Sequence, residues 1–218
     1  MTFDGRFLAV LLCFLLSGFA ALLYETAWTR EFAFVFGTSE VAIATVLAAY
    51  MAGLALGAAA AGRLAPRVRR PVLVYGLLEG GIAVVALAVP LLIRATLGVS
   101  VALFGGAPEP QDEGAFGAGA FYTLCAFATL LLPTAFMGAT LPLLARYAVR
   151  DESEIGSRIG LLYAVNTAGA VLGAVGAGFF LLPGLGLRAT VHVGVAVNVA
   201  VFALAAWLSR GAMPVAPP

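Results

Sequence analysis

Lysine is absent from this chain of 218 residues, so all 12 of its basic residues are arginine. Charge of either sign is scarce: Asp, Glu, Lys and Arg make up 11% of the residues, against about 25% in a soluble globular domain. The formal net charge of +1 carries no basic footprint, so no nucleic-acid partner is expected. One histidine, His192, and two cysteines, Cys13 and Cys125, are too few for a zinc-type ligand cluster. Neither a metal nor another cofactor is expected. Soluble-enzyme motifs are missing as well: no Gly-rich phosphate loop follows a strand, and no Ser/His/Asp or Cys/His set assembles.

What fills the chain instead is apolar sequence, 62% of all residues. Its runs reach the roughly 20 residues that a helix needs to cross a bilayer. The pattern predicts an all-α integral membrane protein with six transmembrane helices, at about 7–28, 39–62, 71–93, 118–144, 159–182 and 189–208. They form one domain over 1–210, and the tail 211–218 is expected to be disordered. The charged start with Asp4 and Arg6 resembles a signal peptide, but the spans that follow favour an uncleaved first helix. Ser39 is placed to cap span 2, and Pro71 suits the first turn of span 3. The segment 97–104 is apolar but too short to cross, and is assigned to the interface ahead of the acidic, turn-rich GGAPEPQDEG. Pro133 is expected to kink span 4, and Pro183-Gly184 to close span 5.

The arginines set an orientation. With the N-terminus inside, the inner face carries Arg6, Arg63, Arg67, Arg69, Arg70, Arg146, Arg150, Arg158 and Arg210. The outer face carries Arg30, Arg94 and Arg188. That bias predicts cytoplasmic termini. It also puts Cys13 and Cys125 in opposite halves of the membrane, so no disulfide between them is expected.

Residues 48–62, AAYMAGLALGAAAAG, align without a gap with residues 164–178, AVNTAGAVLGAVGAG. Gly53, Gly57 and Gly62 fall on Gly169, Gly173 and Gly178, an offset of 116 residues. Small residues at four-residue spacing allow close helix approach, so these six glycines are the expected packing positions. With spans 2 and 5 running oppositely, the echo predicts a 3+3 inverted-topology repeat.

Ionisable groups inside a span are functional candidates by default. Glu79 lies about 12 Å in from Pro71, and Asn166 about as far in from Arg158. Glu25 and His192 fall near the outer face. This predicts an inner polar layer of Glu79 and Asn166, and an outer one. Glu25 reads either as part of an interfacial belt with Tyr24 and Trp28, or as a cavity acid beside those two rings, suited to an organic cation. Glu79 reads either as a hydrogen-bonded structural acid or as a protonation or cation site. Asn166 reads as helix glue or as a substrate contact, on a face 166–170–174–178, and Asn198 is a second buried amide.

Four blocks in order carry a family resemblance: SGFAALLYETAWTREFAFVFG, AAYMAGLALGAAAAGRLAPRVRRP, LLPTAFMGATLPLLARYAV and IGLLYAVNTAGAVLGAVGAGFFLLPGLGLR. Together they resemble the membrane part of the bacterial fused major-facilitator/spermidine-synthase-like proteins. The resemblance implies half of a major-facilitator-like bundle in the bacterial inner membrane. It implies a homodimer working by alternating access on a small, polyamine-like cation, with Glu25 and Glu79 as cation or proton sites. GRLAPRVRRP is similar to the major-facilitator gating loop, with Gly62, Arg67, Arg69 and Arg70 in place and Arg63 beside them. Pro66 and Val68 depart from its pattern, so the arginines serve equally as topology determinants. In that family a synthase-like soluble domain usually follows. Nothing in this chain matches its cofactor loop, so the expectation is that the chain is not an enzyme. A membrane anchor or channelling partner for such an enzyme, and a subunit or assembly factor of a larger membrane complex, stand beside the transporter reading.

Overall fold

The computed structural model describes residues 4–36, 38, 40–104, 116–149 and 151–210. The described residues hold no strand and six helical segments: α1 (Gly5–Phe36), α2 (Glu40–Leu64), α3 (Pro71–Phe104), α4 (Phe116–Ala148), α5 (Ile155–Val175) and α6 (Leu182–Arg210). Short 3-10 turns lie at Ala65–Arg67 and Glu152–Glu154. The chain enters α1 through Asp4, whose carboxylate accepts a hydrogen bond from the Phe7 amide at 2.7 Å. That is how an N-terminal acceptor satisfies a helix's unpaired amides. α1 is the most enclosed helix and contacts α5, α6, α3 and α2. The other main pairs are α2 with α4, α3 with α6, and α3 with α4.

The helices pack through glycine. A Cβ at Gly53 would reach the Thr134 side chain and the Leu131 carbonyl, and one at Gly57 would overlap the Ala135 backbone. Likewise a Cβ at Gly169 would overlap the Leu15 carbonyl, and one at Gly173 that of Phe19. Leu15 and Leu131, like Phe19 and Ala135, stand 116 residues apart, the same offset that separates the glycines. Gly62 and Gly178 differ from the other four: nothing lies within 4 Å of a Cβ built at either. The face of α5 turned to α1 carries Asn166, Gly169 and Gly173, whereas nothing lies within 4 Å of a Cβ built at Gly178. Large apolar side chains are left on the outside, among them Val84, Leu124, Phe179, Phe180 and Trp207.

Several expectations need correction. Helices long and apolar enough to cross a membrane number five among the described residues, not six. Predicted spans 5 and 6 form one run of 56 residues, Ile155–Arg210. The break placed at Pro183-Gly184 is instead a π segment, Gly176–Leu181, followed by Gly186, where φ is 76° and ψ 175°. Pro183 has no N–H to offer the preceding turn. Just before it the ladder has widened by one residue, with the Leu182 amide bonding the Ala177 carbonyl. Gly186 then leaves helical geometry in a region that glycine alone adopts readily. Beyond the break, α6 packs on α3 and α1, whereas α5 packs mainly on α1.

The segment 97–104 is not a separate interfacial piece but the end of α3. α4 runs unbroken past Pro133 and Pro142. Thr134 beside the first proline donates to the Leu130 carbonyl at 2.6 Å. α1 extends eight residues past the predicted end of its span. The Ser39 cap, the whole acidic stretch GGAPEPQDEG, Arg150 and the tail 211–218 lie outside the described residues.

Candidate functional site

The densest polar group in the interior centres on Glu79 of α3, which has no exposed surface. The Ser17 hydroxyl on α1 donates to Glu79 Oε1 at 2.5 Å. Asn198 Nδ2 on α6 donates to Oε2 at 2.5 Å. The Tyr24 hydroxyl, again on α1, donates to Asn198 Oδ1 at 2.8 Å. One carboxylate thus ties three helices together, each of its oxygens met by a donor from a different helix. A buried acid without such donors would carry a large desolvation cost. Tyr75, one turn before Glu79, is also fully buried, and its hydroxyl lies against the Glu79 and Ser17 side chains. The edge of the Phe14 ring packs near Tyr75, with centroids 6.3 Å apart at 85°.

Small residues let these groups meet. A Cβ at Gly76 of α3 would come 3.0 Å from that of Ala205 on α6, and one at Gly80 would come 3.5 Å from the Phe202 ring. That approach brings the short Asn198 amide to the carboxylate. Gly194, one turn before Asn198, leaves room for the Tyr24 ring, which a Cβ there would approach to 2.7 Å. Tyr24 stacks on Trp28, with centroids 5.0 Å apart and planes 11° from parallel. Both rings are completely buried, and the Trp28 indole N–H has no acceptor among the described residues.

The remaining candidates lie elsewhere. Glu25 is half-buried, accepts a 3.3 Å hydrogen bond from Thr29, and has the Tyr50 hydroxyl in its electrostatic neighbourhood. Tyr24 turns away from it toward Asn198, because consecutive residues on a helix point about 100° apart, and Trp28 stacks on Tyr24. Asn166 does not join Glu79. Its Nδ2 donates to the Phe14 carbonyl at 3.0 Å across the α1–α5 contact, opposite Gly18. His192 is exposed and lines a cleft of about 330 Å³ with Arg94 and Arg188. Arg63, Arg67, Arg69 and Arg70 are all exposed around the turn between α2 and α3. No group of metal-ligating side chains occurs among the described residues.

Sequence reasoning does not name Ser17 or Tyr75 as partners of Glu79, and gives Asn198 only as a buried amide. Depth offered a usable signal for two of them. Ser17 is 12 residues into α1 and Asn198 is 12 residues before the end of α6, so each lies about 18 Å from that end of its helix.

No family model matches the chain, and no solved structure does. Among curated proteins it is similar to polyamine aminopropyltransferase 1 of Streptomyces coelicolor, 28% identical over 196 residues. The alignment covers 89% of this chain and 33% of that protein, so the chain spans about a third of the length of the curated relative it matches. This similarity overturns the expectation that the chain is not an enzyme, because nearly all of it aligns with a protein named as one. The expectation had rested on a missing cofactor loop. The absence of a motif from a set of helices is no measure of the activity of the protein that such helices resemble.

Proposed function

We propose that the chain is the membrane-spanning, amine-handling part of an aminopropyltransferase-type polyamine enzyme system. Glu79 is the site at which an ammonium group is held. The observation that carries this reading is the fully buried carboxylate set among Ser17, Asn198 and the Tyr75 hydroxyl. An entering ammonium displaces the Ser17 or Asn198 donor, takes up Glu79 and donates to the Tyr75 oxygen. The stacked Tyr24–Trp28 pair forms an aromatic wall of the kind that favours a desolvated organic cation. The polyamine name of the similar protein fits a ligand of that class.

The bilayer setting is supported by the apolar helices, the outward-facing Phe and Leu side chains, and the arginine bias. On this reading the 56-residue run crosses twice, reversing at Gly186, which makes six crossings with both termini in the cytoplasm. The matching glycine contacts of α2 on α4 and α5 on α1 support a 3+3 repeat of inverted topology. Gly62 and Gly178, free of neighbours within one chain, suit a contact between two copies. Two parallel copies then supply the two halves of an alternating-access path for the amine.

A second reading, delivery of the amine to a catalytic partner domain, is favoured by one observation: the alignment covers nearly all of this chain and a third of its relative. Both readings require the Glu79 site. Binding of radiolabelled spermidine to the purified protein tests it, with Glu79→Gln as the site variant and Glu25→Gln as the comparison. Loss of binding in the first alone is the expected result, and equal binding in all three proteins rejects the site. Spermidine flux in proteoliposomes then separates movement across the bilayer from delivery along it.

A further inference from the structure

A second polar site lies at the far end of the helices from the arginine-rich α2–α3 turn, where α1, α3 and the start of α6 converge. A cleft of about 470 Å³ opens there, lined by Glu31, Arg94, Arg188 and the apolar side chains of Phe34, Ile93 and Leu97. That volume is in the range of small-molecule sites. Glu31 is only 8% exposed, and its Oε2 is buried with no hydrogen-bond partner among the described residues. Arg94 and Arg188 are exposed, and both act electrostatically on Glu31. Among the described residues neither guanidinium closes an ion pair with it. Gly186, with its positive φ, lines the same cleft two residues before Arg188.

Three charges thus converge on one cavity without pairing. A buried acceptor left empty costs about 1–3 kcal/mol, and more when it is charged. A simple anion would satisfy the arginines and leave Glu31 unpaired. A simple cation would meet two guanidiniums. A ligand with an ammonium and an anionic oxygen group a few bonds apart satisfies all three.

We propose that this cleft binds a zwitterion bearing a primary ammonium and a phosphate or carboxylate group. The ammonium donates to Glu31, the anionic oxygens are shared by Arg94 and Arg188, and any apolar portion lies on Phe34, Ile93 and Leu97. Guanidinium groups suit this task because their donors form a planar fork matched to oxyanions. The site is separate from Glu79 and does not depend on the polyamine reading. Two sources offer the chemistry: a soluble phosphoethanolamine-like metabolite, or the headgroup of an aminophospholipid.

The test uses the full chain purified in detergent. Titration with O-phosphoethanolamine is compared with inorganic phosphate, and tighter binding of the former by at least tenfold is expected. Glu31→Gln should bring the two to equal affinity, whereas Arg94→Gln with Arg188→Gln should abolish both. In lipid nanodiscs holding equal phosphatidylethanolamine and phosphatidylcholine, native mass spectrometry reads the lipid source. Retention of the former lipid by the wild type, lost in Glu31→Gln, assigns the headgroup. Binding of O-phosphoethanolamine with no lipid preference assigns the soluble ligand. The proposal is overturned if the wild type prefers neither ammonium-bearing probe, or if its preference survives Glu31→Gln. Should Glu31→Gln fail to fold, Arg94→Gln alone must weaken phosphate and O-phosphoethanolamine together, and unchanged binding of either also overturns it.

Discussion

Asn198 and Glu79, 119 residues apart in sequence, meet through a 2.5 Å hydrogen bond in the interior of the bundle. The other end of the same amide accepts from Tyr24 at 2.8 Å. Asn198 is therefore the link between the acid and the aromatic pair, and the first prediction concerns it. In Asn198→Ala, Glu79 Oε2 and the Tyr24 hydroxyl both lose their partner. An unsatisfied buried group costs about 1–3 kcal/mol, so a clear fall in the unfolding temperature of the detergent-solubilised protein is expected. An unchanged melting curve would mean that the amide holds nothing in place.

Glu79→Gln separates charge from packing. Glutamine keeps the shape of glutamate, its oxygen can accept from Asn198, and its NH₂ can donate to a rotated Ser17 hydroxyl. The variant should therefore melt close to the wild type while losing amine binding by at least tenfold. If it unfolds in step with its loss of binding, Glu79 is a structural acid and the proposed site is lost.

The glycine contacts predict a pattern across four substitutions. Gly57→Val and Gly173→Val each force side-chain atoms onto a neighbouring backbone, an overpacking that costs about 1–3 kcal/mol. Gly62→Val and Gly178→Val meet open space within one chain. They should leave the fold intact, and their readout is the oligomeric state by light scattering.

Gly186→Ala tests the reversal between α5 and α6. A non-glycine residue held at φ 76° and ψ 175° is strained by about 1–3 kcal/mol. Gly184→Ala is the control, since its φ is negative and no atom lies within 4 Å of its Cβ position. Equal stability of the two variants would show that the chain does not turn at Gly186.

Topology can be read by labelling. In a Cys125→Ser background, with Cys13 buried, a cysteine at position 188 should react with an impermeant thiol reagent added to intact cells. One at position 67 should react only after permeabilisation. Both reacting from the same side would overturn the arginine-based orientation.

The helices were legible because apolar composition over long runs leaves the backbone no partner but itself. The glycine contact sites at 53, 57, 169 and 173 were legible too, since small residues at four-residue spacing mark a close approach whatever lies opposite. The helix count was not. Pro183-Gly184 reads as a stop on local grounds, yet the backbone met the proline with a π turn and deferred its break to Gly186. The segment 97–104 was likewise judged by its own length, whereas continuity with α3 decides its conformation.

The composition and the arginine pattern determined by themselves that this is an all-α chain of long apolar helices with few polar interior groups. They singled out Glu79 as one of those few, because an acid amid apolar sequence is visible without any partner. Which groups surround it only the tertiary structure decided. Tyr24 belongs with Glu79 rather than with adjacent Glu25, Asn166 serves the α1–α5 contact, and Glu31 faces two arginines from other helices. Rotation about a helix axis and the order in which helices pack set these neighbours. Both depend on contacts between residues 62 or more positions apart, which no local pattern records.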